Sequence, residues 1–221
     1  MREIVTFDAY GTLVDFRLSG PTQELLQDRI DEVGVDAKEF LDNFRVMRFQ
    51  AVLEDYRPYD VVLRSSLEKA MRLHGLRYRD SDGDAVVARI PTFGPFPEVP
   101  HVLRRLKSRY EIAIISNTQD HLIKQNIELI GVEFDHVITA EQAGAYKPSR
   151  QTFDYAYKTM DVEPAQVIHV AQGWEYDLVP GMDLGLKRRV WINRQNNRGS
   201  AAYQPYDELS DMTTLPELLD C

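Results

Sequence analysis

Residues 4–15 read Ile-Val-Thr-Phe-Asp-Ala-Tyr-Gly-Thr-Leu-Val-Asp, and no other stretch says as much about the fold. Its first four residues are β-rich without alternation of apolar and polar positions, a pattern typical of a strand buried on both faces of a parallel sheet. Asp8 follows at the end of that strand, before a turn at Gly11 and Thr12. A carboxylate in this place can act as a nucleophile, although aspartate in such a turn also commonly bonds a following amide.

Beyond residue 93, short apolar strands alternate with amphipathic helices. The sequence predicts strands at 111–115, 136–139, 167–171 and 188–192 and helices at 98–108, 120–130, 149–160, 177–184 and 215–219. This alternation predicts an α/β fold with a doubly wound, Rossmann-like parallel sheet, because parallel neighbours need crossover connections. Ligands of such sheets bind beyond the carboxyl ends of the strands, where Asp8, Ser116-Asn117 and residues 172–177 are expected to meet.

The segment between the first strand and residue 93 has a helical pattern and predicts an inserted cap. Its helices are predicted from Pro21 to Gly34, through Phe40 to Ala51, and from Val61 to Leu73. Prolines and glycine in residues 92–100 cannot continue a helix and mark the return to the core. The predicted domains are a core of residues 1–14 and 93–221 and a helical cap of residues 15–92.

Composition limits the class of protein. The 221 residues carry a formal net charge of −9 and are 43% hydrophobic, which suffices for a substantial core and disfavours nucleic acid or an anionic membrane as a partner. Cys221 is the single cysteine, so an intrachain disulfide and a cysteine-based metal cluster are excluded. No stretch approaches the ~18 apolar residues of a membrane span and no leader pattern is present, so we expect a soluble, cytoplasmic protein.

Three further segments follow the first strand in a fixed order. They are Ser116-Asn117 after a predicted strand, Lys147 in AYKPS, and Asp177 in VAQGWEYD. With Asp8 they resemble the haloacid dehalogenase superfamily, in which an Asp nucleophile, a Ser or Thr, a Lys and a distal acid follow the core strands in this order. The resemblance spans nearly the whole chain, and its specificity lies in the ordered set, because each piece alone is short.

Most members of that superfamily are Mg²⁺-dependent phosphatases, and two positions argue against that activity. The phosphatases carry a second acid two residues after the nucleophile, where this chain has Tyr10, whose unperturbed pKa of about 10 suits a general acid poorly at neutral pH. Their fourth strand leads to a Gly-Asp pair that helps to bind Mg²⁺, where this chain has Gln172-Gly173. We therefore expect no metal and no cofactor.

The form DAYGTL instead resembles the L-2-haloacid dehalogenases, the metal-free branch, in which the carboxylate displaces halide from the α-carbon of a small carboxylic acid and water hydrolyses the resulting ester. The resemblance implies that Asp8 is the nucleophile, that Lys147 holds it ionised and that Asp177 positions or deprotonates the water. It also implies a homodimer. Substrate-binding roles are implied for the backbone amides of Ala9 and Tyr10, for Ser116 with the substrate carboxylate and for Asn117 with the leaving group. Gln172 and Trp174 lie at the same expected crevice and are further candidates for substrate binding, with Trp174 reshaping the pocket or stacking on the substrate.

The dehalogenases also use an arginine from an early cap helix to bind the leaving group. Arg45 and Arg48 are both candidates, three residues apart on one helix face, and Arg45 is favoured because it follows an aromatic residue, as in the family. Three positions depart from the dehalogenases, since Gln172 and Trp174 replace a Ser and an Asn, and Phe153 replaces a Tyr. These departures concern the leaving group more than the type of reaction.

Simpler interpretations of the same residues stay open at this point. Lys147 could be a solvated loop lysine, and Ser116-Asn117 could cap the helix that follows. Asp177 could be the N-terminal cap of the helix predicted from residue 177 to 184. Trp174 could simply pack between the core and the cap.

Other functions also stay open. One is hydrolysis of L-azetidine-2-carboxylate, in which a ring amine is the leaving group, and Gln172, Trp174 and the Tyr56/Tyr59 pair are compatible with it. A Mg²⁺-dependent phosphatase is a weaker alternative. A catalytically weak relative that binds a metabolite is the last, and it does not explain why a nucleophile, its counter-ion and a water-activating acid occur together.

Overall fold

The computed structural model describes residues 3–221, which fall into two compact units. The core unit comprises the N-terminal segment up to Asp15 together with Gly94–Cys221, and the helical unit comprises Phe16–Phe93. The boundaries predicted from the sequence lie after residues 14 and 92.

A six-stranded sheet organises the core unit. Its strands are β1 (Ile4–Phe7), β2 (Glu111–Ser116), β3 (His136–Thr139), β4 (Val167–Ala171), β5 (Arg188–Ile192) and β6 (Asp207–Leu209). Every neighbouring pair is parallel, in the order β3-β2-β1-β4-β5-β6. The predicted α/β fold with a parallel sheet is confirmed. Strand β1 lies inside the sheet, between β2 and β4, and all four of its residues are buried.

Strand β6 was not predicted. Its three residues, Asp207, Glu208 and Leu209, are polar or only half-buried, so they lack the apolar run that identified the other strands. It lies at the edge of the sheet and pairs with β5 alone, so its backbone is hydrogen-bonded along one side only, as in other short edge strands.

Nine α-helices are formed by the described residues. They are α1 (Ser19–Val33), α2 (Ala37–Ala51), α3 (Tyr59–Leu73), α4 (Asp80–Arg89), α5 (Val99–Lys107), α6 (Asp120–Ile130), α7 (Ala140–Ala143), α8 (Arg150–Met160) and α9 (Leu215–Leu218). Among residues 3–221, no helix is long and apolar enough to cross a membrane.

The prediction of an α-helix at residues 177–184 is wrong. Trp174–Leu178 form a single π-helical turn, in which the Val179 amide donates to the Trp174 carbonyl over 3.0 Å, and Pro180–Met182 form a short 3₁₀ turn. Pro180 lacks an amide proton, so it interrupts the hydrogen-bond ladder that a continuous α-helix would need. The chain after β4 is therefore a compact double turn, and this turn positions Asp177.

Helices α1–α4 build the helical unit, and α4 was not among the predicted helices. Its first residues, Asp-Ser-Asp-Gly, resemble a loop, and the helix depends on one buried carboxylate at its start. Asp82 accepts from the Arg79 amide over 2.9 Å and from both terminal nitrogens of Arg29 over 2.7 and 2.8 Å. This side chain thus caps α4 and joins it to α1.

Candidate active site

The loop after β1 folds back on Asp8. The Asp8 amide continues the sheet by donating to the Val170 carbonyl over 3.1 Å, and Gly11 then turns the chain with a φ of 90°, a conformation that favours glycine. The turn returns Thr12, whose hydroxyl donates to Oδ2 of Asp8 over 2.8 Å. Asp8 is therefore oriented from within its own loop.

Lys147 lies between two carboxylates. Its Nζ donates to Oδ1 of Asp8 over 3.0 Å and to Oδ1 of Asp177 over 2.6 Å, and the residue is 1% exposed. The interpretation of Lys147 as a solvated loop lysine is therefore wrong. Two carboxylates and one ammonium share this buried space, which is the arrangement that makes a buried charge tolerable.

Asn117 holds Lys147 in place. Its side-chain oxygen accepts from the Lys147 amide over 2.7 Å, and its side-chain nitrogen donates to the Lys147 carbonyl over 2.8 Å. Both polar groups of this side chain are thus engaged with the backbone of Lys147. The predicted contact between Asn117 and the leaving group stays a prediction.

Asp177 is not a helix cap. It is 1% exposed, and its Oδ1 accepts from Lys147 and from Nε2 of His169, the latter over 2.9 Å. His169 was missed in the sequence, where a single histidine in the apolar strand VIHVA was the available signal. Its other ring nitrogen, Nδ1, lies 2.8 Å from the hydroxyl of Thr6 on the adjacent strand β1.

The two carboxylates have opposite pKa shifts. Burial raises the pKa of Asp8 above its ordinary value, and the charge of Asp177 adds to this, while Lys147 and Thr12 act in the other direction. Burial also acts to raise the pKa of Asp177, but Lys147 and His169 outweigh it and the pKa is lowered. Burial acts to lower the pKa of Lys147, yet its two carboxylate partners raise it, so the ammonium stays charged.

Ser116 ends β2 with an unsatisfied hydroxyl. The residue is buried, and its Oγ has no hydrogen-bond partner within the described part of the chain. Neither Ser116 nor Asn117 caps α6, because the residue before the first turn of that helix is Gln119. A buried hydroxyl without a partner is unfavourable, so this group is available for a ligand.

The phenol of Tyr10 is directed to other residues of the core unit. Its hydroxyl donates to Oδ1 of Asn126 over 3.1 Å and lies 3.5 Å from the hydroxyl of Thr118. The side chain of Tyr10 is therefore anchored to α6 through Asn126. Its predicted contribution to substrate binding concerns the backbone amide, which stays a prediction, as it does for Ala9.

Gln172 joins the turn after β4 to the loop after β1. Its amide donates to the Thr12 hydroxyl over 2.8 Å, so Thr12 relays a contact from Gln172 to Asp8. Its carbonyl accepts from Nε1 of Trp191 over 3.2 Å. The side-chain oxygen lies so close to Gly11 that a Cβ there would approach it to 3.1 Å.

Trp174 packs within an aromatic cluster of the core unit. Its ring centroid lies 4.7 Å from that of Trp191, 5.4 Å from Tyr206 and 5.8 Å from Tyr203. These contacts anchor the start of the π-helical turn, whose later residue is Asp177. The predicted stacking of Trp174 on a substrate stays a prediction.

Arg45 and Arg48 belong to the helical unit and differ in their surroundings. The Arg45 side chain is 68% exposed and lies 3.8 Å from Asp42. Arg48 lies over the ring of Phe44, 4.8 Å from its centroid, and its Nε is buried without a hydrogen-bond partner in residues 3–221. Arg48 therefore has a buried donor without a partner, and the choice between the two arginines for the leaving group stays a prediction.

The donor set of the core site does not fit Mg²⁺. Oδ1 of Asp8 and Oδ1 of Asp177 both face the Lys147 ammonium, which occupies the position between them. The described residues contain no group of three or more His, Cys, Asp or Glu that could hold a metal ion. A hard dication needs several oxygen ligands, and a shared lysine repels it.

The chain is similar to known dehalogenases in sequence and in fold. Over 207 residues the chain is 25% identical to (S)-2-haloacid dehalogenase 4A of Burkholderia cepacia, covering 90% of this chain and 86% of the relative. It is 25% identical to (S)-2-haloacid dehalogenase 2 of Pseudomonas sp. strain CBS-3, covering 100% and 97%. The solved L-2-haloacid dehalogenase of Xanthobacter autotrophicus with chloropropionic acid covalently bound is similar in fold, with a TM-score of 0.81, 19% identity, and coverage of 100% and 99%.

The family comparison covers most of the chain. The model of haloacid dehalogenase-like hydrolases matches residues 3–178, a range that contains Asp8, Lys147 and Asp177. This chain therefore belongs to the haloacid dehalogenase-like hydrolases.

Proposed function

We propose that this hydrolase is an L-2-haloacid dehalogenase that acts without a metal, through Asp8 as the nucleophile. The observation that carries the proposal is the buried Asp8–Lys147–Asp177 contact, in which one ammonium serves two carboxylates with opposite pKa shifts. Similarity to the two (S)-2-haloacid dehalogenases, and the covalently bound chloropropionic acid in the Xanthobacter dehalogenase, support the same reaction.

The first step is displacement of halide at the α-carbon. The Asp8 carboxylate, ionised beside Lys147, forms a bond to the α-carbon while the carbon–halogen bond breaks and the halide leaves with its electron pair. Thr12 and Lys147 fix the carboxylate, which supplies the orientation on which such a displacement depends. The raised pKa of Asp8 makes its ionised form the more basic of the two carboxylates.

Ser116 is the proposed donor to the substrate carboxylate. Its hydroxyl is buried and lacks a partner among the described residues, so a carboxylate oxygen of the substrate would satisfy it. The amide of Ala9 makes no hydrogen bond within residues 3–221 and is a second donor at the same end of the sheet. Both donors lie at the carboxyl ends of parallel strands, where ligands of such sheets bind.

The second step is hydrolysis of the ester on Asp8. Asp177 accepts a proton from water as the water oxygen attacks the ester carbonyl carbon. The bond between that carbon and the Asp8 oxygen that carries the α-carbon then breaks, and this oxygen leaves with the hydroxy acid and takes the proton from Asp177. Asp8 is regenerated with one oxygen from water and loses its remaining proton to solvent. Lys147 stabilises the negative charge that develops on the ester oxygen, because its ammonium already lies 3.0 Å from Oδ1.

Arg48 is the proposed residue for the leaving group. Its guanidinium rests on Phe44, and its buried Nε lacks a hydrogen-bond partner within the described chain, whereas the exposed Arg45 lies beside Asp42. A halide is a weakly hydrated anion that an Arg held on an aromatic ring can bind. Arg48→Gln is therefore expected to lower the rate of halide displacement more than Arg45→Gln.

The test is product release in EDTA. We expect chloride from L-2-chloropropionate, none from the D-enantiomer, and none from Asp8→Asn. L-azetidine-2-carboxylate, and a phosphate ester with added Mg²⁺, serve as comparison substrates. Turnover of either of these without chloride release from L-2-chloropropionate would overturn the proposal.

A further inference from the structure

A polar pair lies beneath the site, inside the sheet. Thr6 on β1 and His169 on β4 are register partners on adjacent parallel strands, and both are buried. The Thr6 hydroxyl lies 2.8 Å from Nδ1 of His169, and Nε2 of the same ring lies 2.9 Å from Oδ1 of Asp177. Together they form a chain of hydrogen bonds that runs from the sheet to Asp177.

The direction of these hydrogen bonds follows from their chemistry. The ionised carboxylate of Asp177 only accepts, so Nε2 of His169 carries a proton and donates it. In the neutral ring Nδ1 is then an acceptor, and the Thr6 hydroxyl donates to it.

The surroundings give Asp177 few other partners. Lys147 and His169 are the side chains in the described chain that donate to it, and both donate to the same oxygen, Oδ1. The edge of the Phe153 ring packs on His169, with centroids 6.0 Å apart and planes at 86°, so this side of His169 is apolar. His169 is therefore held by packing as well as by Thr6.

Oδ2 of Asp177 faces the turn rather than the sheet. A Cβ at Gly173 would lie 2.5 Å from Oδ2, so the glycine is what leaves space at this oxygen. No side chain or amide among residues 3–221 donates to Oδ2. Oδ1 thus accepts two hydrogen bonds, whereas Oδ2 accepts none from the described residues.

We propose that His169, supported by Thr6, is a positioning residue that holds Oδ1 of Asp177 so that Oδ2 is the oxygen that accepts the proton from the hydrolytic water. The inference rests on the proposed function, and it concerns the second step only. In that step Asp8 is an uncharged ester, so Asp177 has one charged neighbour, Lys147, in addition to His169. Loss of the His169 donor would leave Asp177 bonded by Lys147 alone and free to rotate.

The decisive variants are His169→Leu and His169→Gln. Leucine removes the donor, whereas the glutamine amide nitrogen can replace Nε2. With L-2-chloropropionate, we expect His169→Leu to release a burst of chloride equal to the number of active sites, followed by a steady rate lower by ~10-fold to ~100-fold. Intact-mass measurement should find the ester on the enzyme, and His169→Gln should restore most of the steady rate.

The pH profile separates positioning from a structural role. Removing a donor from an ionised carboxylate raises its pKa, so the acidic limb of ester hydrolysis should move to higher pH in His169→Leu and less in His169→Gln. The groups that face Asp177 are Lys147, Asp8, His169 and, from α8, Tyr157, whose own pKa is raised by burial and by the charge of Asp177. In the ester form Asp8 does not titrate, so the limb reports Asp177.

Thr6→Val and Thr6→Ser complete the test if His169→Leu does not fold. Valine keeps the shape of Thr6 and removes the hydroxyl, so it should slow ester hydrolysis in the same direction by a smaller factor, whereas serine should not. Equal rates and unchanged pH limbs in all variants would overturn the inference while chloride release by the natural protein still supported the function. Absence of chloride release from the natural protein would overturn both.

Discussion

The loop after β1 and the turn after β4 each deliver one carboxylate to Lys147, yet they surround it differently. Asp8 is 9% exposed and is backed by the hydroxyl of Thr12, whereas Asp177 is 1% exposed and is backed by the imidazole of His169. The pKa is raised in the first and lowered in the second. Two identical side chains on one counter-ion therefore differ in their pKa values, and the proposed function gives them different roles, Asp8 as the nucleophile and Asp177 as the acceptor of the proton from water.

Each segment is also held by its own arginine. Arg194 donates to the Thr12 carbonyl over 2.9 Å and lies 3.6 Å from the centroid of Phe96, which fixes the loop after β1. Arg189, on β5, donates to the carbonyl of Leu178 over 2.5 Å, at the end of the π-helical turn. Contacts outside the site therefore support both segments that carry the carboxylates, as preorganised catalysis requires.

The largest expected difference between the two segments is kinetic. Asp8→Asn should abolish both steps, whereas Asp177→Asn should leave halide displacement intact and slow ester hydrolysis by ~10²-fold to ~10⁴-fold, the usual contribution of a general base. Rapid quench with intact-mass detection should then find the ester accumulated in Asp177→Asn alone. Asp183→Asn, an exposed position nearby in the chain, is the control and should behave as the natural protein.

The second prediction concerns Lys147, the counter-ion that the carboxylates of both segments contact. Lys147→Met leaves two buried carboxylates without a counter-ion, so the pKa of each should rise and the free energy of unfolding should fall by ~3–5 kcal/mol at neutral pH. A carboxyl group whose folded pKa exceeds its unfolded pKa loses stability as pH rises through the folded value. The loss should therefore be larger at pH 7 than at pH 5 in urea unfolding.

Lys158→Met is the matched control for this experiment. Lys158 is exposed near the end of α8, so its removal should change stability by no more than ~0.5 kcal/mol at either pH. In the natural protein, the contributions of Asp177 and Lys147 to stability change with pH in opposite directions. The stability from the lowered pKa of Asp177 is lost as pH falls through that value, and the stability from the raised pKa of Lys147 is lost as pH rises through its value.

The same contrast explains what could be predicted from the sequence. Strands β1 to β5 were predicted from their apolar residues, and parallel order brings their carboxyl ends together, so the meeting of Asp8 with residues 172–177 followed from pattern and order. The place of Lys147 beside Asp8 was implied by the resemblance to the haloacid dehalogenases. His169 could not be predicted because its partner Thr6 lies on another strand, and only the register pairs them. The π-helical turn escaped prediction because its residues have no distinctive pattern and depend on tertiary packing of Trp174.

The third prediction alters the turn after β4 without touching a carboxylate. Gly173→Ala would place a Cβ 2.5 Å from Oδ2 of Asp177, which must then shift. Overpacking of this kind costs ~1–3 kcal/mol, and we expect the loss to fall mainly on ester hydrolysis rather than on halide displacement. Gly20→Ala is the control, because a Cβ there meets nothing within 4 Å. Equal effects on both steps would contradict the assignment of Oδ2 to the water.

The smallest effect is expected at Tyr10, in the loop after β1. Its hydroxyl donates to Asn126 over 3.1 Å, away from the carboxylate that Thr12 holds. Tyr10→Phe should therefore lower stability by about 0.5–1.5 kcal/mol, the value of one hydrogen bond, and leave kcat within about threefold of the natural value. Thr12→Val, two residues further along the loop, should instead lower kcat clearly, because it removes a donor to Asp8.

This pair of variants distinguishes the two ways in which the family could use the position of Tyr10. If the phenol were a general acid in place of the phosphatase carboxyl, its removal would cost ~10²-fold to ~10⁴-fold in rate. A small loss of stability with an unchanged rate would assign the hydroxyl to support of α6 through Asn126. The chemistry of the loop would then reside in Asp8 and Thr12, which face Lys147 and the turn after β4.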